Sequence, residues 1–289
     1  MKHTIIILVL IAIFIDIYSQ NAVNNQEPKG MKFVPMGSFR TILRNVSQQK
    51  ETLVSVEPFW MSNEITNKEF REFVTWARNN QDKSLYETLF VREKKMDPVA
   101  LIEKDTIYMR VSPIEVSSFF GTIIDDTSME KENNEIKNYY NDPEYDDFPV
   151  VGVSFKIARY YCLWRTTLEN DSLRKKGLPS IQAYRLPYET EWEYAAQKIR
   201  KVPSETLKRL HKVNEGSPDD FGVFGLDDNV SEWVITSPGL TPVIRGGSWN
   251  SGSNVSYRQE SDINFKDAST GFRIVRSFIS GLGGIGRIR

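Results

Sequence analysis

The chain has 289 residues and a mass of 33.4 kDa, with 40% hydrophobic and 26% charged residues. That composition is globular and excludes a disordered tail, a collagen-like chain and a coiled coil. Thirty-seven Lys and Arg stand against 38 Asp and Glu, for a net charge of −1, so the basic excess of a nucleic-acid binder is missing.

The N-terminus places Lys2 and His3 before an apolar run, Ile5 to Ile15. The run is too short for a spanning helix, which needs about 20 residues, and has the length of a signal-peptide core. Residues 1–20 are therefore expected to be a signal peptide cut near Ser19-Gln20, with an uncleaved anchor as the alternative. Export to the periplasm or cell envelope follows as an expectation. Cys162 is the only cysteine, so no intramolecular disulfide and no N-terminal lipid anchor on a Cys are expected. With His211 the one histidine after the leader, a His/Cys zinc site is not expected either.

The expected domain spans residues 21–280. Met31 to Phe39 reads as a short strand entering a turn, and Val54 to Met61 as a second strand. Thr66-Asn67-Lys68-Glu69 is a capping box, followed by Phe70, Phe73, Val74 and Ala77 on one helical face. Residues 79–147 are charged and irregular, as in an insertion, with a hairpin expected around Lys104-Asp105. Asp146 to Val153 has strand character. Ser154 then caps a second helix carrying Ile157, Tyr161, Trp164 and Leu168, with Cys162 inside it as a buried, inert thiol. Residues 169–183 read as a polar linker. Glu189 to Ile199 is a third helix striped by Trp192, Ala195, Ala196 and Ile199. From residue 214 to 249 frequent Gly, Pro and Asp predict short strands and tight turns. Gly271 to Val275 reads as a closing strand, and 281–289 as a flexible Gly-rich tail.

A series of segments, in order, resembles the formylglycine-generating enzyme (sulfatase-modifying factor) family: Phe33-Val34-Pro35-Met36-Gly37, Glu64-Ile65-Thr66-Asn67, Phe148 to Ser154, Tyr184-Arg185-Leu186-Pro187 with Glu191 to Ala196, Asp219-Asp220-Phe221-Gly222, Asn229-Val230-Ser231-Glu232-Trp233, Arg245-Gly246-Gly247-Ser248-Trp249 and Gly271-Phe272-Arg273. The resemblance implies an α+β fold related to C-type lectins, with few long strands and much irregular structure. Independently of it, Arg245-Gly246-Gly247 sets two residues without Cβ beside a bulky Trp, as close backbone packing requires.

The family's oxidase activity rests on a copper-holding cysteine pair between the Arg-Gly-Gly-Ser-Trp and Gly-Phe-Arg segments. Here that stretch, Asn250 to Thr270, contains no Cys. Hydroxyls of Ser251, Ser253 and Ser256 do not replace the soft thiolates that select Cu(I), so no copper and no formylglycine-generating activity are expected. The resemblance also implies a calcium site, with carbonyls of Asp228 and Val230 and the carboxylate of Glu232 as ligands. Gly225 stands where relatives carry a side-chain oxygen, and a turn brace without metal is the alternative role of Glu232. A second calcium loop has no room within Lys198 to Ser217. Asp219-Asp220 and Asp227-Asp228 read as exposed turn acids rather than paired catalytic acids.

Within the family, Tyr145 to Val153 and Cys162 to Thr166 resemble the gliding-motility and type IX secretion ring lipoproteins of Bacteroidota. The expectation is a non-catalytic exported scaffold that binds protein partners in the cell envelope, with a ring or homo-oligomer in view. The alternatives are a calcium-dependent, lectin-like ligand-binding module and an enzyme of other chemistry on the same fold.

Overall fold

The computed structural model describes residues 25–42, 51–80, 84–85, 88–91, 107–110, 114–115, 136, 138–198, 209–236 and 242–278. The expected signal peptide, the Gly-rich tail and Ile199 lie outside them. Among the described residues, no helix is long and apolar enough to cross a membrane.

The chain opens with β1 (Met31–Val34) and the hairpin β2 (Gly37–Ile42)/β3 (Glu51–Val56), then β4 (Phe59–Glu64). The strand expected over Val54 to Met61 is therefore two strands. Pro58, which has no N–H to give a ladder, falls at the break. Helix α1 (Asn67–Asn79) begins as its capping box predicts: the Thr66 hydroxyl accepts from Glu69 N, and the Glu69 carboxylate accepts from Thr66 N.

Four short strands follow as two pairs, β5 (Ser84–Leu85) with β8 (Ile114–Glu115) and β6 (Thr88–Val91) with β7 (Ile107–Arg110). Ile107–Arg110 is thus a strand, but its partner is β6. The other arm of the expected hairpin, Leu101 to Glu103, lies outside the described residues. The insertion expected to run to residue 147 gives way to packed chain earlier: Tyr139 is fully buried and donates to Pro149 O at 2.6 Å, and Asn67 Nδ2 donates to the carbonyls of Tyr139 and Tyr145. The strand expected over Asp146 to Val153 is also corrected. Pro149 makes one bridge to Thr66, and a 3-10 turn over Pro143–Tyr145 precedes it.

Helix α2 (Phe155–Lys175) is capped by the Ser154 hydroxyl. It runs into the expected polar linker as far as Lys175, where Arg174 and Lys175 suit the negative end of the helix dipole. Gly177, at φ +66°, stops it, with Leu178 N returning to Leu173 O. The stripes of α1 and α2 face each other. Phe70 stacks on Tyr161 at 5.9 Å between centroids, and Phe73 meets Trp164 at 5.6 Å. Each ring so buried stabilises the fold by about 1.5–3 kcal/mol. Leu168, the last residue of the predicted stripe, is exposed.

β9 (Tyr184–Arg185) and α3 (Glu189–Ala196) lead to the second sheet: β10 (Ser231–Ile235), β11 (Pro242–Arg245), β12 (Arg258–Glu260) and β13 (Thr270–Gly271). Its order is β12-β11-β10-β13, with β10 and β13 parallel. The last strand, β14 (Arg273–Ser277), enters the first sheet between β4 and β9, giving the order β1-β4-β14-β9. This is a mixed α/β architecture of few helices and short strands.

Candidate functional site

The end of β4, the start of β10 and the start of β14 bring three ionisable side chains together in the interior: Glu64, Glu232 and Arg273, all buried. Arg273 Nε donates to Glu232 Oε2 at 2.6 Å and Nη2 to Oε1 at 2.5 Å. The Trp192 indole N–H donates to the same Oε2 at 2.9 Å. Arg273 also donates to the carbonyls of Ser62, Phe224 and Gly225. One guanidinium thus gathers two strands and the turn before β10, as its forked donors allow.

Glu64 stands beside this pair. Its Oε1 accepts from Asn229 Nδ2 at 3.1 Å, and its Oε2, 4.0 Å from Arg273, has no hydrogen-bond donor among the described residues. Burial raises its pKa to about 8; Arg273 pulls it down, and the neighbouring charge of Glu232 pushes it further up. Asn229 sits at φ +62°, a region that Asn tolerates. Its Oδ1 accepts from His211 N.

The residues expected to hold calcium are placed as follows. Both oxygens of the Glu232 carboxylate already face N–H donors. The Asp228 side chain turns to His211, Oδ1 to Nε2 at 3.6 Å. Val230 is buried with Tyr139, Val151 and Ala268. At Gly225, φ +65°, a Cβ would overlap the Glu64 carboxylate, so this position has room for no side chain. Among the described residues no group of three His, Cys, Asp or Glu side chains could hold a metal. The Glu232 carboxylate is thus taken up by the guanidinium of Arg273 and the indole of Trp192.

Further out, the turn acids differ from expectation. Asp219 is buried, its Oδ1 accepting from the N–H groups of Phe221 and Val223, and burial raises its pKa. Asp227 accepts from the Ser253 hydroxyl at 3.1 Å. For His211, burial is outweighed by Asp228 and the Lys212 carbonyl, and its pKa rises.

The loop after β11 lies where the family carries its thiols. Ser248 is buried; its Oγ donates to Asn250 Oδ1 at 2.6 Å and lies 2.7 Å from Ser251 Oγ. At Gly247 a Cβ would overlap the backbone of Asp227, Gly252 and Asn254, so the loop folds directly on the β10 turn. Gly246 makes the expected close approach to a Trp, but to Trp192 rather than its sequence neighbour Trp249. Cys162 is far from this loop in sequence, in α2, and burial pushes its thiol up to about 12.

Sequence reasoning singled out Glu232 but not its partners. Glu64 and Arg273 lie inside the quoted motifs Glu64-Ile65-Thr66-Asn67 and Gly271-Phe272-Arg273, and nothing local in either motif marks the two as partners of Glu232.

The model of the sulfatase-modifying factor enzyme 1-like domain family matches residues 18–203, more than half of the chain. The chain is 28% identical over 232 residues to a Bos taurus protein named inactive C-alpha-formylglycine-generating enzyme 2, covering 68% of this chain and 67% of that one. Among solved structures it is similar to that of CarF, with a TM-score of 0.51, 16% identity, and coverage of 87% of this chain and 99% of that one. It is also similar to Treponema denticola variable protein 1, with a TM-score of 0.48, 17% identity, and coverage of 86% and 94%.

Proposed function

The chain belongs to the sulfatase-modifying factor enzyme 1-like domain family, and from that premise we propose that it is a non-catalytic member, an exported scaffold that binds proteins of the cell envelope. The observation that carries this reading is the thiol-free segment Asn250 to Thr270, whose loop is closed by hydroxyl–hydroxyl and hydroxyl–amide contacts of Ser248, Asn250 and Ser251. Hydroxyls are hard, weakly acidic ligands and do not select Cu(I). The name of the bovine relative, an inactive enzyme, supports the same reading. The finer reading is a component of gliding-motility or type IX secretion machinery, supported by the resemblance of Tyr145 to Val153 and Cys162 to Thr166. Glu232 is read as a structural brace for Arg273.

The test has two arms. Cu(I) titration against a chromophoric chelator and incubation with a cysteine-containing sulfatase peptide should give neither metal transfer nor product. Tagged protein recovered from its native envelope should carry defined protein partners. Stoichiometric copper or peptide oxidation overturns the non-catalytic reading; a chain recovered alone overturns the scaffold.

A further inference from the structure

The β2–β3 hairpin has one face against the protein and one in water. On the inner face Phe39 packs on Tyr194, and the Thr41 hydroxyl donates to Glu193. Successive strand residues point to opposite faces, so Ser38, Arg40 and Ile42 point outward, and all three are exposed. The register sets them opposite Ser55, Leu53 and Glu51, which are exposed as well.

Two of these rows form a block of four side chains. Arg40 stands opposite Leu53, and Ile42 opposite Glu51. The apolar residues therefore occupy one diagonal and the charges the other. Leu53 is 63% exposed and Ile42 48%. Across the other diagonal Arg40 Nη1 lies 3.5 Å from Glu51 Oε2, with both side chains in solvent. The next row is neutral, its Ser38 and Ser55 hydroxyl oxygens 2.9 Å apart.

A single exposed aliphatic residue is ordinary, but this arrangement has a symmetry. A two-fold axis laid on the face along the Leu53–Ile42 diagonal brings Leu53 against Leu53 of a second copy, and Ile42 against Ile42. The same rotation carries Arg40 over the second copy's Glu51, and Glu51 over its Arg40. Apolar groups meet twice, opposite charges meet twice, and no charge meets its own sign. Rows about 6.6 Å apart along the strands and about 5 Å across them incline that diagonal by about 37°. The two hairpins would then cross at about 75°, close to the orthogonal class of sheet packing. Other partners fit less well: an acidic face would meet Glu51, a basic one Arg40, and an apolar one would take both charges out of water.

We propose that the outer face of this hairpin is the contact between two copies of the chain, related by a two-fold axis along the Leu53–Ile42 diagonal. Such a contact uses the same patch on both copies. The hairpin face measures roughly 20 Å by 10 Å, well short of the ~800 Å² that each partner brings to a standard interface, so the association is weak and follows concentration. The proposal goes beyond the scaffold reading and does not depend on it.

The test is sedimentation velocity on the purified protein from micromolar to near-millimolar concentration, with thermal melts to show that each variant folds. Wild type should self-associate, and Leu53→Asp should remain monomeric. Arg40→Glu leaves two acids on the charged diagonal and Glu51→Arg two bases, so each alone should associate at least tenfold more weakly. An equimolar mixture of those two variants should regain dimers at wild-type strength, because every acid then faces a base. Leu53→Cys, lying on the axis, should be joined to a second copy by a short bis-maleimide, while wild type, whose one thiol is buried, should not. A wild type that stays monomeric, self-association untouched by Leu53→Asp, or a mixture no tighter than its components each overturn the proposal. None of these results bears on envelope partners, which the pull-down tests separately.

Discussion

Glu232 and Arg273 form a two-point ion pair, Nε to Oε2 and Nη2 to Oε1, with both side chains almost wholly out of solvent. A pair so placed is costly to break from one side, because the survivor keeps its charge without its partner. Glu232→Gln should destabilise the fold by about 3–5 kcal/mol, read as a lower urea midpoint at unchanged slope. The same melts carried out in millimolar calcium and in chelator should coincide for wild type. A calcium-induced rise that disappears in Glu232→Gln would mean that the carboxylate leaves Arg273 for the metal.

Glu64 makes stability depend on pH in the direction opposite to an ordinary salt-bridged acid. Its folded pKa, about 8, lies above the ordinary value of 4.5. Between those values the native state holds a proton that the unfolded chain has released. Stability therefore falls as pH rises from about 5 to 8 and levels off beyond. This one group contributes on the order of a few kcal/mol, at about 1.4 kcal/mol for each pH unit crossed between the two values. Urea unfolding of wild type and Glu64→Gln across that window checks it: the variant should show the flatter curve and gain most at pH 8.

Cys162 should be silent. With its thiol buried and pushed up to about 12, almost no thiolate exists at pH 8. Labelling with a chromogenic disulfide reagent should be negligible in the folded protein and complete in denaturant. Cys162→Ser should keep the fold and cost about 1–3 kcal/mol by burying a hydroxyl. Rapid labelling of native protein would show that α2 opens at this point.

Two glycines of the loop after β11, Gly247 and Gly252, should respond differently. A Cβ at Gly247 would overlap three backbone segments, while at Gly252, φ +81°, it would meet open space. Gly252→Ala should cost about 1–2 kcal/mol for the left-handed backbone alone. Gly247→Ala must also displace main chain and should cost well beyond that, seen as the larger drop in melting temperature.

How legible was all this in the sequence? Helix α1 could be read completely, since its cap and its stripe are local. The second half of α2 could not. Glu169 to Lys175 carries no apolar stripe, and the helix continues on contacts that only the fold brings to it: Glu169 accepts from the Tyr184 hydroxyl and from Arg276, Asn170 Oδ1 accepts from Ile181 N, and Leu173 packs on the core. Asp219 looked like a surface acid because its Asx-type contacts to Phe221 and Val223 leave no mark in composition. The buried centre was half visible. Glu232 stood out, but Glu64 and Arg273 meet it only through the pairing of strands from opposite ends of the chain, which no local pattern encodes.

That β14 lies between β4 and β9 sets an order on how this chain comes to be folded. During synthesis β4 waits beside an empty place until residues 273–277 have been made, and the acids at 64 and 232 wait with it for the buried cation they share. Pairings this distant close slowly. The nascent chain therefore stays open until its last strand arrives, and a chain cut short before that strand lacks the centre of its main sheet.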